Sequence, residues 1–102
     1  MVYVHNLVYP VRSEATAFRI IDGEAVILNL DNGVYYSLDE VGAKVWDLCD
    51  GSNSIKDIIM VICEEFEVKG QTAGEDILEF MEELLKESLV VINENPTQVK
   101  SD

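Results

Sequence analysis

The sequence predicts an α+β fold of the winged helix-turn-helix kind, in which a three-stranded antiparallel meander is followed by three helices and a short strand. Two observations predict this fold. Tight-turn signals at Asp22-Gly23 and Asp31-Asn32-Gly33 separate short apolar runs whose period of two residues is typical of strands. From Asp39 onward the apolar spacing becomes that of amphipathic helices. Two helices joined by a turn beside a small sheet resemble the winged helix-turn-helix motif.

The meander is predicted to contain strands at residues 17–21, 24–30 and 34–38. Alternate residues of a strand point to the same side of a sheet. In the second strand Val26, Leu28 and Leu30 share one side, and we expect that side to face the core. In the third strand Val34, Tyr36 and Leu38 are expected on the core side, so that Tyr35 and Ser37 point away.

The first two helices have clear beginnings and ends. Asp39 is a good N-cap for a helix that runs to about residue 49, and Gly51 follows it as a stop signal. Ser54 is expected to cap a second helix that runs to about residue 66. Its isoleucines fall on one stripe, which predicts a helix with one buried face.

Thr72 and Glu75 have the spacing of a capping box, which predicts that the third helix covers residues 73–87. This helix has a broad apolar face with Leu78 at its margin, and acidic residues fill the remaining surface. A last short strand is predicted at residues 89–92. Residues 17–93 therefore form the predicted domain, between an N-terminal arm (1–16) and a polar tail (94–102).

Composition excludes several functional classes. The chain has 102 residues, enough for one domain, and a formal net charge of −13, which argues against binding the backbone of a nucleic acid or an anionic membrane surface. The chain lacks a run of the roughly 20 apolar residues that span a membrane, and its N-terminus is a poor signal peptide. Two cysteines make no disulfide framework, so a reduced, cytoplasmic protein is expected.

The residues offer little for catalysis or metal binding. The single histidine, His5, lies in the arm, far in sequence from Cys49 and Cys63, and a cysteine nucleophile needs a base within hydrogen-bonding distance. Two thiols and one distant histidine match no zinc spacing, and the sequence has no phosphate-binding glycine loop. We therefore expect a protein without enzyme activity, cofactor or metal.

DNA binding is the function that the predicted architecture suggests first. A helix-turn-helix reader places its second motif helix in the major groove of DNA. The corresponding helix here, residues 73–87, carries six acidic residues and one lysine. Its charge would repel phosphate, so we expect no DNA binding.

Peptide binding is favoured by the third strand, residues 34–38, which lies at an edge of the predicted meander. An edge strand offers unpaired backbone N–H and C=O groups, and this one contains no proline, lysine or glutamate that would block pairing. An extended peptide can add to such an edge as a further strand. Leu78 and Leu85 of the third helix are candidates for the opposite wall of a groove.

The chain resembles the PqqD-like family over about residues 17–93. The resemblance is carried by the Asp31-Asn32-Gly33 turn, Tyr35-Tyr36-x-Leu38, Gly42, and Val45-Trp46-x-Leu48. It continues through residues 55–66, through Asp76-Ile-Leu-x-Phe-x-x-x-Leu-Leu, and through Leu89-Val90.

The resemblance implies a RiPP recognition element, a small winged-helix domain that binds the leader of a ribosomally made precursor peptide and has no catalytic residues. It implies that the leader adds to the third strand and lies against the third helix. The implied peptide-binding residues are Val34, Tyr35, Tyr36, Ser37, Leu38, Ile77, Leu78, Met81 and Leu85. The implied partner is a modifying enzyme, such as a radical SAM enzyme or a leader peptidase.

Several alternatives stay open at this point. The chain is either PqqD proper, acting in pyrroloquinoline quinone biosynthesis, or a recognition element for another precursor. A structural dimerisation domain without a peptide ligand is a further reading. The arm, which is outside the family's core pattern, has three possible roles: ordering on a partner, pairing with a sheet edge, or forming a homodimer by exchange. The acidic charge indicates a basic precursor or partner, although solubility explains it equally well.

Overall fold

A computed structural model describes residues 4–97 of the chain. Of the predicted arm and tail, residues 1–3 and 98–102 lie outside this range. The elements follow one another as β1 (Tyr9–Arg12), β2 (Thr16–Ile21), β3 (Glu24–Asn29), β4 (Tyr35–Leu38), α1 (Glu40–Leu48), α2 (Ile55–Phe66), α3 (Gly70–Lys86) and β5 (Val90–Asn93).

The predicted meander is confirmed, because β2, β3 and β4 form an antiparallel sheet in that order. The turn between β2 and β3 has positive φ at both Asp22 (53°) and Gly23 (83°), which is the two-residue hairpin geometry that its sequence predicts. Gly33, with φ of 74°, serves the turn before β4. The predicted three helices and final short strand follow, so the α+β class is confirmed.

The predicted core side of β3 is wrong. Ile27 is fully buried, whereas Val26 is 42% exposed and Leu30 also points to solvent. The reason is Asn29, whose side chain is buried on the core side. Its Nδ2 donates to the Glu87 carbonyl (3.3 Å) and its Oδ1 accepts from the Asp31 amide (2.9 Å), so both polar groups are hydrogen-bonded there. The side of β3 that carries Val26 and Leu28 therefore faces away from the core.

On β4 the predicted sides are correct for the four residues of the strand. Tyr36 and Leu38 pack against the core, and Tyr35 and Ser37 are exposed. Val34 lies before the strand and is exposed.

The helix caps are confirmed for α1 and α2. Asp39 accepts a hydrogen bond from the amide of Gly42 (2.8 Å), and Ser54 forms a reciprocal capping box with Asp57. The predicted cap of α3 is wrong, because the helix begins at Gly70 and has Lys69 at its N-cap without a side-chain hydrogen bond. The Ala73 amide already donates to the Lys69 carbonyl (2.9 Å), so Thr72 lies within the helix.

The arm contributes a strand of its own. β1 pairs antiparallel with β5, so that Tyr9 lies opposite Asn93 and Arg12 opposite Val90. The preceding residue, Val8, is buried in the core, and its carbonyl accepts a hydrogen bond from the first amide of α2 at Ile55 (3.0 Å). Of the three roles considered for the arm, the described residues therefore show pairing with a sheet edge.

The core lies where the three helices meet both sheets. Trp46 of α1 is fully buried, and its ring meets the edge of Phe18 with 5.6 Å between ring centroids. Ile58 of α2 and Met81 of α3 fill the space between those helices. This packing fixes α3 beside the β4 edge of the sheet.

Candidate functional site: the open edge of β4

The backbone of β4 offers hydrogen-bonding groups at the edge of the sheet. The Asn29 amide donates to the Val34 carbonyl (2.9 Å), and the pairing register then places Ile27 opposite Tyr36. Hydrogen-bonded pairs alternate along an antiparallel ladder, so Tyr36 bonds to β3 while the N–H and C=O of Tyr35 and Ser37 point outward. Within the described residues β4 pairs only with β3, so this edge is vacant.

A groove runs along this edge between β4 and α3, and we call it the β4–α3 groove. It consists of two adjoining recesses, each of about 450 Å³, which share Ser37, Leu38, Phe80 and Glu83. The first recess extends toward Tyr36 and Glu87, and the second extends toward Asp76 and Val41. The groove therefore follows the strand from Tyr36 to Leu38.

Three of the five predicted strand residues line this groove. Tyr36, Ser37 and Leu38 line it, and Tyr35 is 68% exposed on the outer side of the sheet. Val34 lies in the turn that leads into the strand.

Of the four predicted helix residues, one reaches the groove and three do not line it. Ile77 reaches the groove from its floor but is only 4% exposed, and Met81 is fully buried in the core. Leu78 and Leu85 are half-buried and do not line the groove. Residues of a helix are offset by about 100°, which places Leu78 about 200° around the axis from Phe80.

Sequence reasoning missed the helix residues that do form the wall, which are Phe80, Glu83, Leu84 and Glu87. Their spacing of three, four and seven residues from Phe80 is that of one helix side. The apolar pattern predicted a broad buried face, and the glutamates were assigned to a solvated face. What distinguishes this side of the helix from the purely apolar side is that apolar and acidic residues occur together along it.

The groove is electronegative. Asp76, Glu83 and Glu87 lie on its helix wall, and Lys86 is the basic residue among its lining groups. The Tyr36 hydroxyl donates to the Glu87 carboxylate, with 3.2 Å between Oη and Oε2. Desolvation raises the pKa of the Tyr36 phenol, and the Glu87 carboxylate raises it further. The phenol is therefore a neutral donor at physiological pH.

The other candidate groups lie outside this groove. Cys49 is buried, and desolvation raises the pKa of its thiol to about 12, which makes it a poor nucleophile. His5 lies in the N-terminal segment, where Nδ1 accepts a hydrogen bond from the Leu7 amide (3.2 Å). Across residues 4–97, no three His, Cys, Asp or Glu side chains are grouped so that they could hold a metal ion. No helix in that range is long and apolar enough to cross a membrane.

Two comparisons with known proteins give matches. The family model described as "Coenzyme PQQ synthesis protein D (PqqD)" matches residues 24–90. Among solved structures, the chain is similar to "TbiB1 in Complex with the TbiA(beta) Leader Peptide", with a TM-score of 0.73 and 32% sequence identity. The match covers 78% of this chain and 93% of the TbiB1 chain. No curated protein matches the chain. The matched segment includes β3, β4 and all three helices, and thus the whole β4–α3 groove.

Proposed function

The chain belongs to the PqqD family, and from that premise we propose that it binds the leader of a ribosomally made precursor peptide. The leader adds to β4 as a strand and occupies the β4–α3 groove. The observation that carries this proposal is the vacant β4 edge with a groove running beside it. The similarity to TbiB1, whose solved structure contains a leader peptide, supports it.

The outward backbone groups of Tyr35 and Ser37 supply the affinity of strand addition in this proposal, because they give a guest strand its hydrogen bonds. Side chains at alternate positions of the guest enter the groove and contact Leu38 and Phe80. Glu83 and Glu87 favour a lysine or arginine among those inward-pointing positions. The leader is therefore an extended segment that alternates apolar and basic residues on one side.

The protein acts without catalysing a reaction in this proposal. It holds the precursor close to a modifying enzyme, such as a radical SAM enzyme or a leader peptidase, in the cytoplasm. Tethering converts a bimolecular encounter into an effectively intramolecular one, with an effective concentration of roughly millimolar for a short flexible connection. Because a flexible leader loses conformational entropy on binding, we expect a Kd of about micromolar or tighter.

Titration of 15N-labelled protein with leader peptides encoded beside its gene tests the proposal. We expect the largest amide shifts at Tyr35, Ser37, Phe80 and Glu83. Ser37→Pro removes an outward N–H that β3 does not use, so it weakens binding strongly, whereas Ser37→Ala keeps the N–H and binds normally. Shifts that avoid both β4 and α3, or equal binding by the two variants, would contradict strand addition.

PqqD proper is the second candidate function, because the matching family model describes a coenzyme PQQ synthesis protein. The two candidates predict different ligands. Preferential binding of the pyrroloquinoline quinone precursor identifies PqqD proper, and preferential binding of another precursor identifies a recognition element for that product. A stable dimer in sedimentation that ignores every leader indicates the dimerisation reading instead.

A further inference from the structure

We propose that the opposite edge of the same sheet, at β2, is a second docking site that receives an extended basic segment of a partner protein. Only the identification of that partner as the leader-modifying enzyme rests on the proposed function. The site consists of the β2 edge and a recess beside it, which we call the β2 recess. It is separate from the β4–α3 groove, because β3 lies between the two edge strands.

The β2 edge offers backbone groups at two residues. The Leu30 amide donates to the Ala15 carbonyl (2.8 Å), so the ladder alternation turns the backbone groups of Phe18 and Ile20 outward. The Thr16 amide already donates to the Ser13 carbonyl (3.2 Å). Phe18 and Ile20 are each 41% exposed. The strand contains no proline, and its one charged residue, Arg19, lies between the outward-pointing Phe18 and Ile20 and has its own backbone groups turned toward β3.

The β2 recess lies directly beside this edge and has a volume of about 360 Å³. Its apolar lining comes from Ile20 of β2, Ala43 of α1 and Phe66 at the end of α2. The turn residue Gly23 completes the wall next to Glu40. A strand edge beside an apolar recess bordered by helices repeats the arrangement found at β4.

The charge of the β2 recess indicates the chemistry of its occupant. Glu40, Asp47 and Glu65 line it, and the one basic lining residue, Lys44, is already paired with Glu65, with 3.7 Å between Nζ and Oε2. A lysine or arginine with an apolar stem complements this combination of carboxylates and apolar lining. A second copy of this chain is a poor occupant, because each copy carries a net charge of −13.

Arg12 sets the direction of the site. Its guanidinium lies 5.1 Å from the centroid of the Phe18 ring and donates to the Asp47 carbonyl (2.7 Å). The Phe18 end of the edge is thus next to the Arg12 guanidinium. The Ile20 end lines the β2 recess together with its carboxylates. We therefore place the basic residues of the bound segment beside Ile20.

Both edges can be occupied at once. Adjacent strands lie about 4.8 Å apart, so guests on β2 and β4 would be separated by four such spacings, or roughly 19 Å. The sheet would then hold the leader at a fixed distance from the bound segment of the modifying enzyme. This gives the domain a positioning role in addition to tethering.

The test uses three acetylated, amidated octapeptides and 15N-labelled full-length protein. A Lys-Val repeat has the required charge and strand propensity, a Glu-Val repeat reverses the charge, and a Lys-Pro repeat keeps the charge but cannot form a strand. We expect only the Lys-Val repeat to shift the amides of Phe18 and Ile20. Equal shifts with the Lys-Pro or Glu-Val repeat, shifts confined to the β4–α3 groove, or no shifts at millimolar peptide would overturn the proposal.

Two variants with the same change in net charge provide the control. Asp47→Lys places a cation in the β2 recess and is expected to weaken binding of the Lys-Val repeat about fivefold, as expected for reversing one exposed charge contact. Glu82→Lys, on an exposed part of α3 outside both grooves, is expected to change it less than twofold. Equal losses would show that net charge alone attracts the peptide, which contradicts the site.

The same samples separate this inference from the leader-binding proposal. Leader binding at β4 should be unchanged in Asp47→Lys, and the Lys-Val repeat should still shift β2 when the leader is saturating. A leader that fails to bind β4 while the repeat shifts β2 contradicts only the proposed function. A dimer formed through β2, detected by sedimentation, contradicts only the second docking site.

Discussion

Tyr36 of β4 and Glu87 at the end of α3 are joined across one end of the β4–α3 groove by a hydrogen bond from the phenol to the carboxylate, with 3.2 Å between oxygens. Glu87 is also held through its backbone, because its carbonyl accepts from Asn29 of β3 (3.3 Å). The end of α3 is thus connected to two neighbouring strands. These contacts set the width of the groove at this end.

Removing the phenolic hydroxyl should loosen this end of the groove without unfolding the protein. Tyr36→Phe keeps the ring, so we expect a small decrease in the urea midpoint at neutral pH and weaker leader binding. The pKa of Tyr36 is raised above 10.0 in the folded state. Its contribution to stability is therefore full below pH 10.0 and lost as pH rises through the folded pKa.

Urea unfolding of the native protein and Tyr36→Phe at neutral pH and above pH 10 measures this contribution. The difference between the two proteins should shrink at the higher pH. If the stability difference between the two proteins stayed constant with pH, ionisation of the Tyr36 hydroxyl would not affect the stability of the fold.

Two apolar positions of α3, Phe80 and Leu85, should respond in opposite ways. Phe80→Ala removes part of the groove wall, so we expect leader affinity to fall about tenfold, the equivalent of about 1.4 kcal/mol. Leu85→Ala, on a half-buried part of α3 that does not line the groove, should lower the melting temperature and leave affinity unchanged. Isothermal titration and thermal melts of both variants provide the measurement, and an affinity loss in Leu85→Ala alone would reverse our assignment of the wall.

The two cysteines should differ in reactivity. Both are free thiols, but Cys49 is buried and Cys63 is half-buried. Burial raises the pKa of Cys49 from 9.0 to about 12, so its neutral form stabilises the fold fully below pH 9.0, and this contribution is lost as pH rises toward 12. We expect a thiol reagent to label Cys63 first under native conditions.

Cys49→Ala provides the control for the alkaline effect. Its free energy of unfolding should decline less between pH 9 and 12 than that of the native protein, as followed by urea titrations. Labelling of Cys49 as fast as Cys63 in the folded protein would contradict the burial.

Trp46 should tolerate phenylalanine better than its size suggests. Its indole Nε1 is buried and has no hydrogen-bond partner among the described residues. Trp46→Ala leaves a cavity and should cost about 3–5 kcal/mol of unfolding free energy. Trp46→Phe also removes the unsatisfied donor, whose burial costs about 1–3 kcal/mol, so we expect a much smaller loss in chemical denaturation. Equal losses in the two variants would indicate that the indole nitrogen is hydrated.

The sequence predicted local features best. The turn at Asp22-Gly23 and the cap at Asp39 depend on residues next to each other, and both were correct. The core side of β3 was wrong because the position of Asn29 depends on Glu87, which is 58 residues away. Pairing with a sheet edge was one of three open roles for the arm, but β5 was not identified as its partner, since Tyr9 and Asn93 lie at opposite ends of the chain.

In the candidate site, too, the local features were predicted and the features that depend on distant contacts were not. Residues 34–38 were identified as an edge strand from their own composition and from the order of the meander. The width of the apolar face of α3 could not indicate which side of the helix is turned toward β4, because that depends on how α2 and β5 hold the helix. Phe80 was therefore not among the predicted peptide-binding residues, whereas Leu78 and Leu85 were expected in a wall that they do not line.

Pairing of β1 with β5 brings the beginning and the end of the folded unit side by side, with Tyr9 across from Asn93. A protein fused before β1 or after β5 would leave from the same small sheet, which shares no strand with the one that carries β2 and β4. The architecture therefore suits attachment to an enzyme through either end of this small sheet, with both proposed docking edges left free.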